Sequence, residues 1–144
     1  MYSDTRLEEL LARHTKDHRL YFDRVSLWLG DEKEDARTTD QRLVDFSKGK
    51  PDPALAALYF NFGRYLLIGS SRPGGLPANL QGIWAGEIQT PWNGDWHLNI
   101  NLQMNYWPAL ACNLTELQDP LDALIASLVK PDRKSTRLNS SHSS

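Results

Sequence analysis

Two prolines and two glycines within six residues, Arg72-Pro-Gly-Gly-Leu-Pro77, interrupt this chain at its middle. Proline removes a backbone donor and clashes with the preceding turn, and glycine loses the most conformational freedom when ordered, so no helix or central strand passes through the segment. Regular structure must therefore lie on either side. Upstream, Leu7, Leu10, Leu11, His14, His18, Tyr21 and Val25 recur at three- and four-residue spacing, which predicts a helix over residues 4–24 with Asp4 as its cap. Residues 25–30 alternate with period two before a Gly-Asp stop, the pattern of a short strand or extended exit. A charged loop over residues 31–37 leads to Thr38-Thr-Asp-Gln-Arg-Leu, which opens a brief second helix; Thr39 or Asp40 is available as its cap, and Gly49-Lys-Pro ends it. The third helix is better marked. Asp52 precedes Pro53 at the first helical position, and Leu55, Leu58, Tyr59, Phe62 and Leu66 form an apolar stripe that runs out at Gly69.

Residues 72–98 then form a long loop, and loops of that length are uncommon in compact domains unless they carry function or are disordered. Its aromatics argue against disorder. Trp84, Trp92 and Trp96 stand beside Asn79, Gln81, Asn93, Asp95 and His97. Tryptophan offers a flat apolar surface to the face of a pyranose, while amides and carboxylates make directional hydrogen bonds to its hydroxyls. A single tryptophan in such a loop more often pins the loop to a core; the cluster together with the amides favours a site.

The next run, Asn99-Ile-Asn-Leu-Gln-Met-Asn-Tyr-Trp107, again combines primary amides with aromatic surface. Residues two apart diverge by about 200° on a helix, so Asn99 and Asn101 cannot both face one ligand from mid-helix. At a helix start they can. Gln103, Met104, Trp107, Leu110 and Ala111 continue at helical spacing, so a helix is expected over residues 100–113 with Asn99 near its N-terminus. The bland alternative makes Asn99 a cap and Asn101 a solvated first-turn residue. A final amphipathic helix with Leu117, Leu121, Leu124, Ile125 and Leu128 runs to about Lys130, broken or restarted near Pro120. Several helices, long loops at their ends and no convincing sheet predict a mainly α fold of α/α type, with function on loops and helix N-termini.

Composition excludes several classes. The 144 residues carry a formal charge of −2 and no basic stripe, so nucleic-acid binding by phosphate neutralisation has no footprint. The single cysteine, Cys112, rules out an intramolecular disulfide and is expected to be a buried, inert thiol. Apart from His14 and His18 on the first helix the histidines are scattered, and the sequence does not group the further ligands a zinc site needs, so no metal site and no cofactor is expected. Met1 leads directly into a charged amphipathic pattern, so no leader is expected, and no apolar run, residues 65–68 included, approaches the length of a membrane span.

From Asp132 to His142 the sequence reads Asp-Arg-Lys-Ser-Thr-Arg-Leu-Asn-Ser-Ser-His, with Leu138 its only large apolar residue. This run resembles the in-frame translation of a widely used sequencing-library adapter over eleven consecutive positions. Residues 132–144 are accordingly expected to be an appended, disordered tail, with the biological chain continuing past residue 130 or 131; a natural basic, Ser-rich end is the alternative. Without the tail the formal charge becomes −4.

Five stretches, Gly63-Arg-Tyr-Leu-Leu-Ile, Ser70-Ser-Arg-Pro-Gly, Asn79-Leu-Gln-Gly-Ile-Trp84, His97-x-Asn99-x-Asn101-Leu-Gln-Met-Asn-Tyr-Trp-Pro and Asn113-Leu-Thr-Glu116, resemble glycoside hydrolase family 95, the inverting α-L-fucosidases. They occur in consistent order over most of residues 7–130. The resemblance implies the first helices and active-site loops of a partial (α/α)6 toroid. Residues 1–30 would be a linker helix and extended exit, residues 31–131 the N-terminal part of the catalytic domain, and residues 132–144 the tail. It implies cleavage of terminal α-L-fucosyl or α-L-galactosyl linkages with inversion, a fucosylated oligosaccharide or glycan as substrate, and a secreted, periplasmic or cell-surface setting. No membrane, nucleic-acid or specific protein partner is expected.

In that family the asparagines matching Asn99 and Asn101 hold the attacking water, with Asn101 contacting it as an unusual base assisted by a distant aspartate. His97 matches a sugar-contacting position, and Trp84 and Trp96 would shape the pocket. A neutral amide is a poor proton acceptor, so Asn101 can orient and polarise water but the proton must finish on a carboxylate. The family's general-acid Glu and partner Asp lie well downstream of the motif, so neither role falls to Glu87, Asp95, Glu116 or Asp119, and this polypeptide is expected to lack turnover. Two other classes compete: a carbohydrate-binding module using the same cluster without chemistry, and a purely structural helical fragment.

Overall fold

A computed structural model describes the backbone of residues 4–30 and 35–140, and the side chains of residues 6–30 and 35–129. Among the described residues the chain is mainly α: α1 Asp4–Phe22, α2 Thr39–Ser47, α3 Pro53–Ser70, α4 Asn101–Ala111 and α5 Asp119–Ser140, with single 3-10 turns at Pro91–Gly94 and Thr115–Gln118. It divides into two compact units, Met1–Leu66 and Leu67–Ser144, and the last turn of α3 belongs to the second.

In the first unit α1 ends two residues before the expected boundary, and Asp4 is its first helical residue rather than its cap. Residues 25–29 form an extended exit and not a strand, with Val25 and Leu27 half-buried while Ser26 and Trp28 face solvent. The capping residue of α2 is Thr38, one residue before the expected Thr39 or Asp40, and Gln41 reaches back to accept the Thr38 backbone N–H at 3.2 Å. Asp52 caps α3 as expected: its Oδ1 accepts the Leu55 N–H at 2.9 Å, and Pro53 occupies the first helical position, where its missing donor has no role. The same carboxylate takes both Nε and Nη2 of Arg42, at 2.9 and 2.7 Å, and so ties α2 to the start of α3. Arg37 bonds Asp35 and Asp45, and Lys50 also bonds Asp45 at 2.9 Å. Arg64 is buried, its guanidinium 4.7 Å from the Phe22 ring centre and 5.7 Å from that of Phe60, bonded to the Phe22 carbonyl and to Asn61 Oδ1.

The expected stripe on α3 needs correcting. Leu58, Tyr59 and Phe62 are exposed, and the buried positions are Leu55, Ala57, Arg64, Leu67, Ile68 and Ser70. α3 is apolar on nearly every side, so spacing alone did not select the face that packs.

In the second unit the core is built from Leu67, Ile68, Ala78, Leu102, Tyr106, Ala109, Cys112, Leu114, Leu117 and Leu121. α4 buries Leu102, Tyr106 and Ala109, whereas Met104, Trp107 and Leu110 are exposed although they carried the helical signal in the sequence. α4 stops where Asn113 turns to φ 54, a conformation that asparagine tolerates, and the Leu114 N–H closes back on the Ala109 carbonyl at 2.8 Å. The helix restarts at Asp119 with Pro120 in its first turn, as the break expected there requires. Its backbone continues helically through Pro131 to Ser140, where the sequence led to the expectation of a structureless tail. Cys112 is a buried free thiol. No helix among the described residues is long and apolar enough to cross a membrane.

Candidate active site

The long loop between α3 and α4 has almost no regular structure, yet hydrogen bonds fasten its backbone at a series of points. Asn79 and Gly82 exchange hydrogen bonds across a tight turn, at 3.2 and 3.0 Å, and the Asn79 side chain accepts the Gln81 N–H at 2.8 Å. Gly82 makes that turn possible in two ways. Its φ is +68, and an added Cβ would lie 2.8 Å from Trp84 Cζ3, so the indole is seated directly on its backbone. The other edge of the same indole lies over Gly69 in the last turn of α3, where a Cβ would approach to 3.2 Å.

The stretch before this turn is held from the other side of the loop. The Trp96 indole N–H donates to the Pro77 carbonyl at 2.9 Å, the Ala78 N–H donates to the Tyr106 hydroxyl at 2.7 Å, and Asn105 Nδ2 donates to the Asn79 carbonyl at 3.1 Å. The Leu80 N–H donates to the Asp95 carbonyl at 3.3 Å. Four consecutive residues, 77–80, are thus each fastened by a group from residues 95–106.

Proton counting fixes the direction of the buried part of this network. Ser71 Oγ donates its one hydrogen to the Leu117 carbonyl at 2.7 Å, so in the 2.7 Å contact between Ser71 Oγ and the Tyr106 hydroxyl the tyrosine is the donor. Tyr106 in turn accepts from Ala78. The chain Ala78 N–H to Tyr106 to Ser71 to Leu117 joins the end of α3, the loop, α4 and the turn at Thr115–Gln118 with every group satisfied. Burial holds the Tyr106 hydroxyl above its ordinary pKa, partly countered by its bonds to Ser71 and Ala78.

The second half of the loop carries backbone strain. Trp92 and Asn93 sit at φ 55 and 56, and Ile100, immediately before α4, at φ 78 and ψ −41. A β-branched residue with positive φ is a genuine outlier, and such outliers gather at functional sites. Asn99 and Asn101 flank it. Helical geometry therefore does not relate the two asparagines, which removes the 200° divergence that a continuous helix would impose. Both are exposed, and neither side chain has a hydrogen-bond partner among the described residues. Asn101 opens α4; the cap position is Ile100, not Asn99. His97 is half-buried, its ring edge-on to Trp92 with centres 5.7 Å apart, and its carbonyl accepts the Leu102 N–H at 3.0 Å.

The tryptophans divide. Trp92 is 75% exposed and Trp84 42%, whereas Trp96 is half-buried with its N–H committed to Pro77, so Trp96 serves as the pin that the bland reading of the sequence described. Sequence reasoning passed over Tyr106, Asn105 and Ser71. The available signal was the spacing of Leu102, Tyr106 and Ala109, a second helical face alongside the one that was followed. Gln81 donates to the Pro91 carbonyl at 3.2 Å, while its Oε1 is buried without a partner beside Gly94, where a Cβ would meet it at 3.0 Å. Among the described residues no group of three His, Cys, Asp or Glu gathers as a metal site would need.

A mainly helical chain that concentrates amides, aromatics and strained backbone on one irregular loop and the helix start after it has the organisation of a loop-built site on a helical scaffold. Residues 6–143 match the glycosyl hydrolase family 95 catalytic domain, and the chain belongs to that family. The matched range includes most of the segment 132–144. The chain is 48% identical over 136 residues to alpha-L-fucosidase 2 of Arabidopsis thaliana, covering 91% of this chain and 16% of that protein. It is 43% identical over 123 residues to a protein of Aspergillus niger named probable alpha-fucosidase A, covering 85% and 15%. A protein of the same name from Aspergillus oryzae is 40% identical over 112 residues, covering 76% and 16%. The chain thus spans about one sixth of the length of the curated relatives it matches.

Proposed function

We propose that this chain is part of the catalytic domain of a glycoside hydrolase that cleaves terminal α-L-fucosyl, or α-L-galactosyl, linkages of oligosaccharides and glycans with inversion, within the helices of an (α/α)6 toroid. The observation that carries the reading is the pair Asn99 and Asn101, exposed and without side-chain hydrogen-bond partners among the described residues, on either side of the strained Ile100 and shortly after His97 in the chain. Two free amides can accept from and donate to one water, fixing its position and the direction of its lone pairs. Asn101 orients the water, Asn99 assists, and His97 binds the sugar. Trp84 offers pocket surface, and Trp96 contributes only its ring face, since its N–H is occupied. In an inverting reaction one carboxylic acid protonates the leaving oxygen while a carboxylate on the opposite face removes the proton of the water. An amide cannot do the second task, so the mechanism needs carboxylates beyond this motif, and the proposal leaves Glu87, Asp95, Glu116 and Asp119 out of both roles.

Two measurements test the reading. In a polypeptide carrying the complete catalytic domain, an α-L-fucoside should release the β-anomer first by NMR, and Asn101→Ala should lower kcat by about 10² or more. Initial release of the α-anomer overturns inversion, and an unaffected Asn101→Ala variant overturns the water-holding role. The 144-residue chain alone should not turn over an activated α-L-fucoside; clear saturable hydrolysis would place both carboxylates within it. Saturable fucose binding without hydrolysis fits the proposal, whether or not the chain also acts as a simple binding module. We further propose that residues 132–144 are an appended tail, which the genomic sequence past residue 131 checks directly.

A further inference from the structure

We infer that Asn105 and Tyr106 are positioning residues, fixing the turn that carries Gln81 and Trp84 against the helix start that carries Asn99 and Asn101. The inference rests on the reading of that helix start as the water-holding part of a glycosidase site. The residues 99–107 divide their labour by what each side chain reaches. Asn99 and Asn101 are exposed and leave their amides free, whereas Tyr106 is 5% exposed and Asn105 half-buried, and both point their polar atoms at the backbone of the preceding loop. They take adjacent residues: Tyr106 accepts the Ala78 N–H and Asn105 donates to the Asn79 carbonyl. Asn79 is also the residue that closes the turn, through its two backbone bonds to Gly82 and its side-chain bond to Gln81. Fastening residues 78 and 79 therefore fixes the whole turn, including the glycine on which the Trp84 indole is seated.

The rigidity of this arrangement comes from its saturation. The Tyr106 hydroxyl uses its one hydrogen on Ser71 and a lone pair on Ala78, and Ser71 passes its own hydrogen to the Leu117 carbonyl. No member can rotate without leaving a buried group unpaired. The bonds from Trp96 to Pro77 and from Leu80 to the Asp95 carbonyl join the loop to itself, so it is these two side chains of α4 that set where the turn stands relative to the first turn of the same helix. Both halves of the proposed site then move as one piece.

The test compares hydrogen exchange and L-fucose titration by NMR in the 144-residue chain and its variants Tyr106→Phe and Asn105→Ala. Asn101→Ala serves as a control that removes a free amide. In both positioning variants the amides of residues 78–84 should exchange about tenfold faster, the effect of losing one hydrogen bond, while the amides of α5 keep their protection. Fucose affinity should fall by a similar factor at an unchanged thermal midpoint in Asn105→Ala, an effect that a residue serving stability alone would not produce. Asn101→Ala should leave the exchange pattern intact. If exchange rises evenly over the chain, or stays unchanged in Asn105→Ala, the inference is overturned; that variant decides the matter where Tyr106→Phe fails to fold. If exchange rises only over residues 78–84 and the wild-type chain shows no fucose binding, the positioning role stands and the glycosidase reading of the site fails.

Discussion

At the scale of single residues, local chemistry was legible wherever one residue type has one use. Asp52 before Pro53 could be read as a cap because both residues solve the same problem, the unpaired donors of a first helical turn, and the Leu55 N–H meets the carboxylate as expected. Asp52→Ala should cost about 1 kcal/mol, measured by chemical denaturation. Part of that loss arises from Arg42, which keeps its charge but loses both of its bonds to Asp52. Gly82 carries a different demand, since it combines a positive φ with the close approach of Trp84. Gly82→Ala should destabilise the second unit by about 1–3 kcal/mol and shift the indole emission of Trp84, because Cβ and ring cannot share the space. An unshifted emission spectrum at unchanged stability contradicts that seating. Tyr106 stayed illegible at this scale: its sequence says aromatic, and only the structure says that it is buried and that its hydroxyl meets Ala78 and Ser71.

At the scale of elements, the helices were found by periodicity but their faces were not. Met104, Trp107 and Leu110 signalled α4 correctly and then proved exposed, because two apolar stripes share the helix and the signal reports spacing without saying which stripe packs. The same ambiguity misassigned α3. The link between α2 and α3 is electrostatic and gives a prediction with a sign. Arg42 holds the Asp52 carboxyl at a pKa of about 2, and Arg37 and Lys50 hold Asp35 and Asp45 below the ordinary carboxylate range. A folded-state pKa below the unfolded value contributes stability that is complete above the unfolded pKa and disappears as the carboxylate is protonated. The first unit should therefore hold its stability down to about pH 4 and lose it progressively between about pH 4 and pH 2, more gradually in high salt because these groups are partly exposed. Thermal melts followed by circular dichroism across that range check it. An Asp52→Asn variant should flatten the acid limb, and a slope unchanged from wild type overturns the assignment.

At the scale of the whole molecule, many large apolar side chains have no cover: Tyr59 is 79% exposed, Phe62 53%, Trp107 63% and Leu110 63%, on helices whose opposite faces are packed. Contiguous exposed apolar surface promotes association. Sedimentation velocity on the isolated chain should show concentration-dependent self-association; a monodisperse monomer across the micromolar range contradicts it. By itself the sequence determined the helical class, the Asp52 cap of α3, the loop and the family, because these follow from local spacing, from residues with a single backbone use, and from motifs in fixed order. Tertiary structure alone decided which face of α3 and α4 is buried, that Trp96 pins while Trp92 is exposed against His97, and that Asn105 and Tyr106 bond the turn. Those outcomes depend on partners distant in sequence, and hydrogen bonds such as the one between Ser71 and Tyr106, 35 residues apart, leave no periodic trace in the chain.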